Sequence, residues 1–263
     1  MRCDMNMFCE QLRFWRKQKG LSQLDLSLEA GVSSRHISFL ETERAKPSKD
    51  MVLLLADALD IPLRHRNQLL TYAGFAEHYE RTPLQQDKMQ YLQYALTSML
   101  ARQEPYPALV LDWDWNIVMS NQGYQRFTVQ IKSMHPEFVE SANIMEMLFD
   151  PKGLRPFIRN WEEVASVTIQ RLHQEKMVNP SRHVELLEKL FSFPETPQDW
   201  RQINLQQQPD PMVYVDFELA GLKIKFFSTL TSFGTPIDIT AQELVIEQYY
   251  PADDATRIMF EGE

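Results

Sequence analysis

The sequence predicts an α+β protein in two parts, a small all-α domain of five helices followed by a larger α+β domain. Three observations predict this. Up to Gly74, apolar residues recur at helical spacing and are punctuated by Gly, Pro and capping Ser. From Pro105 to Ser120 the texture changes to short apolar runs of strand length. From Met212 onward the chain reads as β-rich, with turns at Gly221 and at Gly234–Pro236.

The elements follow in order. Phe8, Leu12 and Trp15 share one face of a first helix that ends at Gly20. Ser22 caps a second helix, with Asp25 completing a capping-box variant, and this helix stops before Gly31. Ser33 caps a short third helix through Glu41, Ser48 a fourth over Lys49–Leu59, and a fifth runs from Leu63 to Ala73. This domain is expected over residues 1–81, with a linker helix over 82–103 and the second domain over 104–263. In the second domain, Ala108–Asp112 and Trp115–Ser120 are expected as strands, with Asn121 capping a helix through Phe127. Helices are expected over Leu154–Gln174 and Ser181–Phe193, then strands over Met212–Leu219, Leu222–Phe233 and Glu243–Tyr250.

Composition narrows the function classes. Hydrophobic residues make up 44% and charged residues 24%, which is globular rather than disordered. Two cysteines, Cys3 and Cys9, cannot build a disulfide framework or a four-thiolate zinc site. The longest apolar run, Met51–Ala56, is far below the roughly 20 residues of a membrane span. A cytoplasmic protein with no membrane partner is expected. The net charge of −9 argues against a nucleic-acid partner only if it is evenly spread, and it is not. Residues 12–49 hold 8 basic and 4 acidic residues, whereas residues 82–263 carry a net −10. A locally basic segment suits phosphate contact while the acidic remainder keeps the chain soluble.

The strongest motif is Leu21-Ser22-Gln23, then Ala30-Gly31-Val32-Ser33, then Ile37-Ser38-Phe39-Leu40-Glu41. Gly31 supplies a turn between two helices that cross steeply, and Ala30 permits their close approach. Val32, Ile37 and Leu40 pin the third helix to the core. Ser34, Arg35, Ser38 and Phe39 then remain for an exposed face that meets base edges, and Arg44 and Lys46 suit phosphate contacts. These residues resemble the Xre/Cro-type helix-turn-helix regulators over residues 10–75. The resemblance implies that Gln23 contacts a phosphate and braces the recognition helix. It also implies that Ser34, Arg35, Ser38 and Phe39 read bases, and that Arg16 and Glu41 form an internal ion pair. Ser33 is an N-cap first and a DNA contact second. Thr42-Glu43 replaces the Gly-rich turn common in that family, and Glu43 adds negative charge beside DNA.

In the second domain, Tyr106–Asp112, Trp115–Val118 and Ser120-Asn121 look like the opening of a PAS-like sensor. Together with Asn143–Leu148, Asn160-Trp161 and the tail from Pro236 to Thr256, they are similar to the ligand-binding domain of MmyB-like regulators. That resemblance implies a pocket for a small apolar effector, a fatty acid or acyl compound; no cofactor is expected to be required. Met and aromatic side chains suit an adaptable cavity. The expected pocket residues are Met147, Leu148, Phe157, Arg159, Trp161 and Phe227, with Arg155 and Arg159 available to a carboxylate head group.

No nucleophile elbow, metalloprotease motif, phosphate loop or dinucleotide fingerprint is present, and the six His lack metal-ligand spacing. The expectation is a non-enzymatic, sequence-specific transcriptional regulator, acting as a homodimer on a palindromic operator. The stripe Met89, Leu92, Leu96, Met99 offers itself as a dimer surface or as internal packing. Two alternatives stand beside this: an enzyme with an accessory helix-turn-helix, and a DNA-binding protein whose second domain binds a partner protein.

Overall fold

A computed structural model describes residues 4–179, 182–201 and 212–262; Cys3, Ser181 and Gln206–Gln208 lie outside them. The chain folds as two compact units. One comprises Met1–Met89 with Phe233–Gln242, the other Gln90–Ser232 with Glu243–Glu263.

The first unit opens with α1 (Met5–Gln18), α2 (Gln23–Glu29), α3 (Ser34–Glu41), α4 (Lys49–Ala58) and α5 (Leu63–Tyr72). Each boundary has a local cause. Asp4 accepts from the Met7 amide and starts α1 earlier than the apolar stripe alone suggests. The Ser22 hydroxyl accepts from the Asp25 amide at 3.1 Å while the Asp25 carboxylate accepts from the Ser22 amide at 2.9 Å, the reciprocal capping box. Ser33 and Ser48 cap α3 and α4 through the amides of His36 and Met51. Gly31 turns between α2 and α3 at φ +65°. Phe8, Leu12, Leu26, Ile37, Leu40, Leu55 and Leu70 close a single core.

The second unit contains α6 (Gln90–Arg102), β1 (Ala108–Leu111), β2 (Ile117–Ser120), α7 (Gln122–Met134) and α8 (Ile144–Phe149). It continues with α9 (Trp161–Val178), α10 (Val184–Ser192), β3 (Val215–Leu219) and β4 (Leu222–Thr231). After α11 (Ile239–Glu243) come β5 (Val245–Pro251) and α12 (Asp254–Glu261). The strands form one antiparallel sheet in the order β2-β1-β5-β4-β3. Leu109, Leu111, Phe217, Leu219, Ile224 and Phe226 share one face of it. They form a core with Tyr124, Phe127, Ile131, Phe149 and Trp161 from the helices.

Several elements differ from the sequence expectations, each for a physical reason. The helix expected over Leu154–Gln174 is broken: a 3-10 turn over Arg155–Phe157 gives way to extended backbone at Ile158, and α9 begins only at Trp161. The edge of the sheet captures the intervening backbone, since the Arg159 amide donates to the Asp216 carbonyl at 2.8 Å. The Asn160 side chain also spans to the Asp216 amide and the Tyr214 carbonyl. Helix α7 continues past Phe127 because Ile131 extends its buried stripe. Helices α8 and α12, not expected from the sequence, begin at side-chain caps from Asn143 and Asp253. Strand β2 starts at Ile117 because Trp115 turns left-handed at φ 66° and Asp112 accepts from the amides of Asp114 and Asn116. Strand β5 starts at Val245 because Glu243 still belongs to α11.

The linker helix expected over 82–103 is a 3-10 turn at Asp87–Met89 followed by α6, and α6 packs on β1 inside the second unit. Met89 and Leu96 of the suggested dimer stripe are buried, and Leu92 and Met99 are half-buried. The exposed apolar side chains of α6 are instead Tyr91 and Tyr94.

Candidate functional site

In the first unit the site is built around Glu41, at the end of α3 and only 2% exposed. Arg16 of α1 grips its carboxylate with two hydrogen bonds, Nε to Oε1 at 2.6 Å and Nη2 to Oε2 at 2.9 Å. Gln23, the first residue of α2, donates to Oε2 at 2.8 Å, and Arg13 donates to the Glu41 carbonyl at 2.6 Å. Helices α1 and α2 are thereby tied to the end of α3 through one buried acid. Burial pushes the Glu41 carboxyl up, but the hydrogen bonds from Arg16 and Gln23 and the charges of Arg16 and Arg13 outweigh it, leaving the group below the ordinary carboxylate range.

This clamp fixes the opposite face of α3. Ile37 and Leu40 are fully buried, while Ser34 and Arg35 are exposed and Ser38 and Phe39 are half-buried. The Arg35 guanidinium stands 5.2 Å from the centroid of the Phe39 ring, one turn on. That contact orders the arginine on the outer face of the helix. Arg44 and Lys46 are exposed in the following loop, and Glu43 beside them holds a left-handed φ of 60°. The serine at position 33 is engaged as the cap of α3. Gln23, expected to brace the recognition helix, is half-buried and bonded to Glu41 of α3. Arg13 was missed in the sequence; its signal was the repeat of cations at 13 and 16 on one helix face.

The pocket residues expected in the second unit do not gather in one place. Met147, Phe157 and Trp161 enter the core, and Leu148 packs against it partly buried. Arg159 sits at the surface, 3.2 Å from Glu218. Arg155 pairs with Glu195 and stands over the Trp161 ring at 4.7 Å. Phe227 stacks on Tyr250, and strand alternation puts it on the face opposite to Phe226. A groove of about 480 Å³ is lined by His173, Lys176, Val184, Leu187, Glu188, Phe191 and Ser192, none of them an expected pocket residue.

The core face of the sheet instead carries a polar cluster that the sequence reading missed. Glu247 of β5 lies directly across from Leu109 of β1 and Leu230 of β4, and Tyr249 lies across from Ser228. Directly paired residues share a face, so these groups stand on the face that holds Leu109 and Phe226. Glu247 is only 7% exposed, and Ser228 and Tyr249 hydrogen-bond its carboxyl. Tyr124 of α7 and Arg171 of α9 lie within electrostatic reach of Tyr249. Burial pushes the Glu247 carboxyl up, and the Ser228 bond and the Arg171 charge only partly offset it. Tyr249 is raised well above an ordinary phenol by burial and by the charge of Glu247 beside it. Ser228 and Leu230 remain exposed on this same face, so the described residues leave it uncovered there. The sequence signal was a lone acid in the β-run Val245–Pro251, on the same alternation as Val245 and Tyr249.

Two family comparisons bear on these units. Residues 12–65 match the family described as helix-turn-helix, and residues 92–261 match the family described as MmyB-like transcription regulator ligand binding domain. The chain belongs to the MmyB-like transcription regulators. No curated protein matches it. It is a DNA-binding transcriptional regulator with a ligand-sensing domain, and the Glu41 clamp holds the α3 face of its DNA-binding unit. No helix among the described residues of the regulator is long and apolar enough to cross a membrane. No group of three or more His, Cys, Asp or Glu among them could hold a metal ion.

Proposed function

We propose that the regulator reads a palindromic operator as a homodimer through Ser34, Arg35, Ser38 and Phe39 of α3. Gln23, Ser33, Arg44 and Lys46 contact the backbone in this reading. We propose further that a small, largely apolar effector, a fatty acid or acyl compound, binds the core face of β4 and β5 and sets the operator affinity. The tail of such a molecule packs on the Met147, Phe157 and Trp161 side of the core. Its head group reaches the Glu247, Tyr249 and Ser228 cluster, with Arg171 supplying positive charge. Dimerisation follows from size, because one recognition helix reads too few base pairs to find one site in a genome.

The observation that carries the DNA reading is the buried Glu41 clamp, which leaves an ordered arginine on the outer face of α3. The test is site selection from random DNA. Arg35→Ala is expected to lose discrimination at particular base pairs, at about 1–3 kcal/mol per lost contact. Arg44→Ala is expected to weaken all sequences alike and to lower the salt slope by about one. An unchanged preferred site for Arg35→Ala would overturn the assignment of the reading face.

A further inference from the structure

The connector between β4 and β5 does not stay with its own sheet. Residues Phe233–Gln242 belong to the first unit, while both strands that flank them belong to the second. The hold on the first unit is specific. The Asp238 carboxylate accepts from the Thr82 hydroxyl at 2.6 Å and from the Thr82 amide at 3.2 Å. The Ile239 amide donates to the Glu80 carbonyl at 2.9 Å. The Gln242 side-chain oxygen accepts from the Leu63 amide at 2.7 Å. Thr82, Ile239 and Leu63 are all buried.

Each of these bonds leads to α5. Leu63 opens that helix, and the preceding Pro62 offers no side-chain acceptor, so Gln242 caps one of the helix's free amides. The stretch before Thr82 is itself tied to Asn67 in the middle of α5. The amides of His78 and Tyr79 donate to its Oδ1 at 3.0 Å, and its Nδ2 donates to the Tyr79 carbonyl at 2.8 Å. The connector therefore grips α5 at its first turn and, through residues 78–82, near its centre. Helix α5 packs on α1, and α1 carries the Arg13 and Arg16 that hold Glu41 of α3. At the other end, the connector continues directly from the strands that bear Ser228 and Glu247.

We infer that the Phe233–Gln242 connector is a coupling latch, through which the state of the β4–β5 face is transmitted to α5 and from there to the recognition helix. The inference rests on the effector reading given above and deepens it by naming the element that carries the signal. A shift of either strand pulls on a segment bonded to the first residue of α5 and to Glu80 and Thr82, so a change in the sheet biases the geometry of α5.

The test uses the full chain and has two arms. The first needs no effector: amide hydrogen exchange over residues 61–82, with Glu247→Gln as the perturbation of the sheet face. With the connector intact, Glu247→Gln is expected to change exchange there at least twofold. In a Gln242→Met background, which removes the acceptor but keeps the side-chain length, the change is expected to vanish. Asp238→Asn, which keeps the shape and weakens only the charge-assisted bonds, is expected to fall between the two. Unchanged exchange on Glu247→Gln in the intact chain, or an equal change in the Gln242→Met chain, would overturn the latch. The second arm measures affinity for selected operator DNA with and without palmitic acid as the probe. A shift of about fivefold or more is expected, falling below twofold in Gln242→Met while palmitic acid binds equally well. Absence of any palmitic acid effect on the unaltered protein would count against the effector reading, while the exchange arm decides the latch by itself.

Discussion

Glu41 in the first unit and Glu247 in the second are both buried carboxyls, and the two are treated in opposite ways. Glu41 meets two arginines and a glutamine and sits below the ordinary carboxylate range. Glu247 meets two hydroxyls and only a more distant arginine charge, and it is pushed up. A buried acid that is fully compensated fixes geometry, which is what a recognition helix needs to present its face without reorganising. A buried acid that is under-compensated leaves polar capacity unspent, and the proposed effector site assigns that capacity to an incoming head group.

Disrupting the compensated site should cost the most. Arg16→Leu leaves Glu41 buried beside fewer partners and is expected to cost about 3–5 kcal/mol in the first unit, read from thermal or urea unfolding. The pH response follows from the lowered group. The stabilisation from Glu41 is full above the ordinary Glu range of about 4.3 and is lost as pH falls through its lower folded value. Arg16→Leu should flatten that acid limb.

Glu247→Gln should act in the other direction. Because the folded protein holds the Glu247 proton more tightly than the unfolded chain, the second unit loses stability as pH rises from about 4.3 to the raised folded value. The glutamine variant is expected to abolish that slope and to gain on the order of 1 kcal/mol at neutral pH. A destabilised variant with the slope retained would show that Glu247 is as well compensated as Glu41.

The smallest effect concerns the loop after α3. Glu43 holds a left-handed φ of 60°, at a cost of about 1–2 kcal/mol for a residue with a Cβ. Glycine relieves that strain but adds about 0.5–1 kcal/mol of chain entropy to lose on folding. Glu43→Gly is therefore expected to gain roughly 0.5 kcal/mol. It also removes a negative charge beside Arg44 and Lys46, so affinity for non-specific DNA should rise modestly, and most clearly at low salt.

The two units also differ in how far their sequences could be read. In the first, local chemistry decides: Ser22, Ser33 and Ser48 each cap the helix they precede, and Gly31 turns where a turn is needed. The Arg16–Glu41 pair was accessible through family resemblance, because the spacing of the motif fixes which helix faces meet. In the second, partners distant in sequence decide. Nothing local announces that Asn160 will bind the backbone of residues 214–216 and split a helix, nor that the chain after Thr231 leaves the sheet to cap α5. Phe227 and Phe226 are equally apolar, and although alternation puts them on opposite faces, only the packing of the sheet decides which of the two joins the core. Met147, Phe157 and Trp161 were legible as an apolar cluster, whereas Glu247 is set apart only by its burial and by Ser228, Tyr249 and Arg171 around it.

In the proposed function, a ligand on the β4–β5 face governs the operator affinity of the α3 face. The direct measurement is a titration of selected operator DNA with protein stripped of apolar material, before and after adding back what denaturation extracts from the purified regulator. A change of about 5–150-fold is predicted, with operator DNA shifting the affinity for the extracted molecule by the same factor. Equal operator affinities in both conditions would contradict it and make the bound molecule a filler of the core.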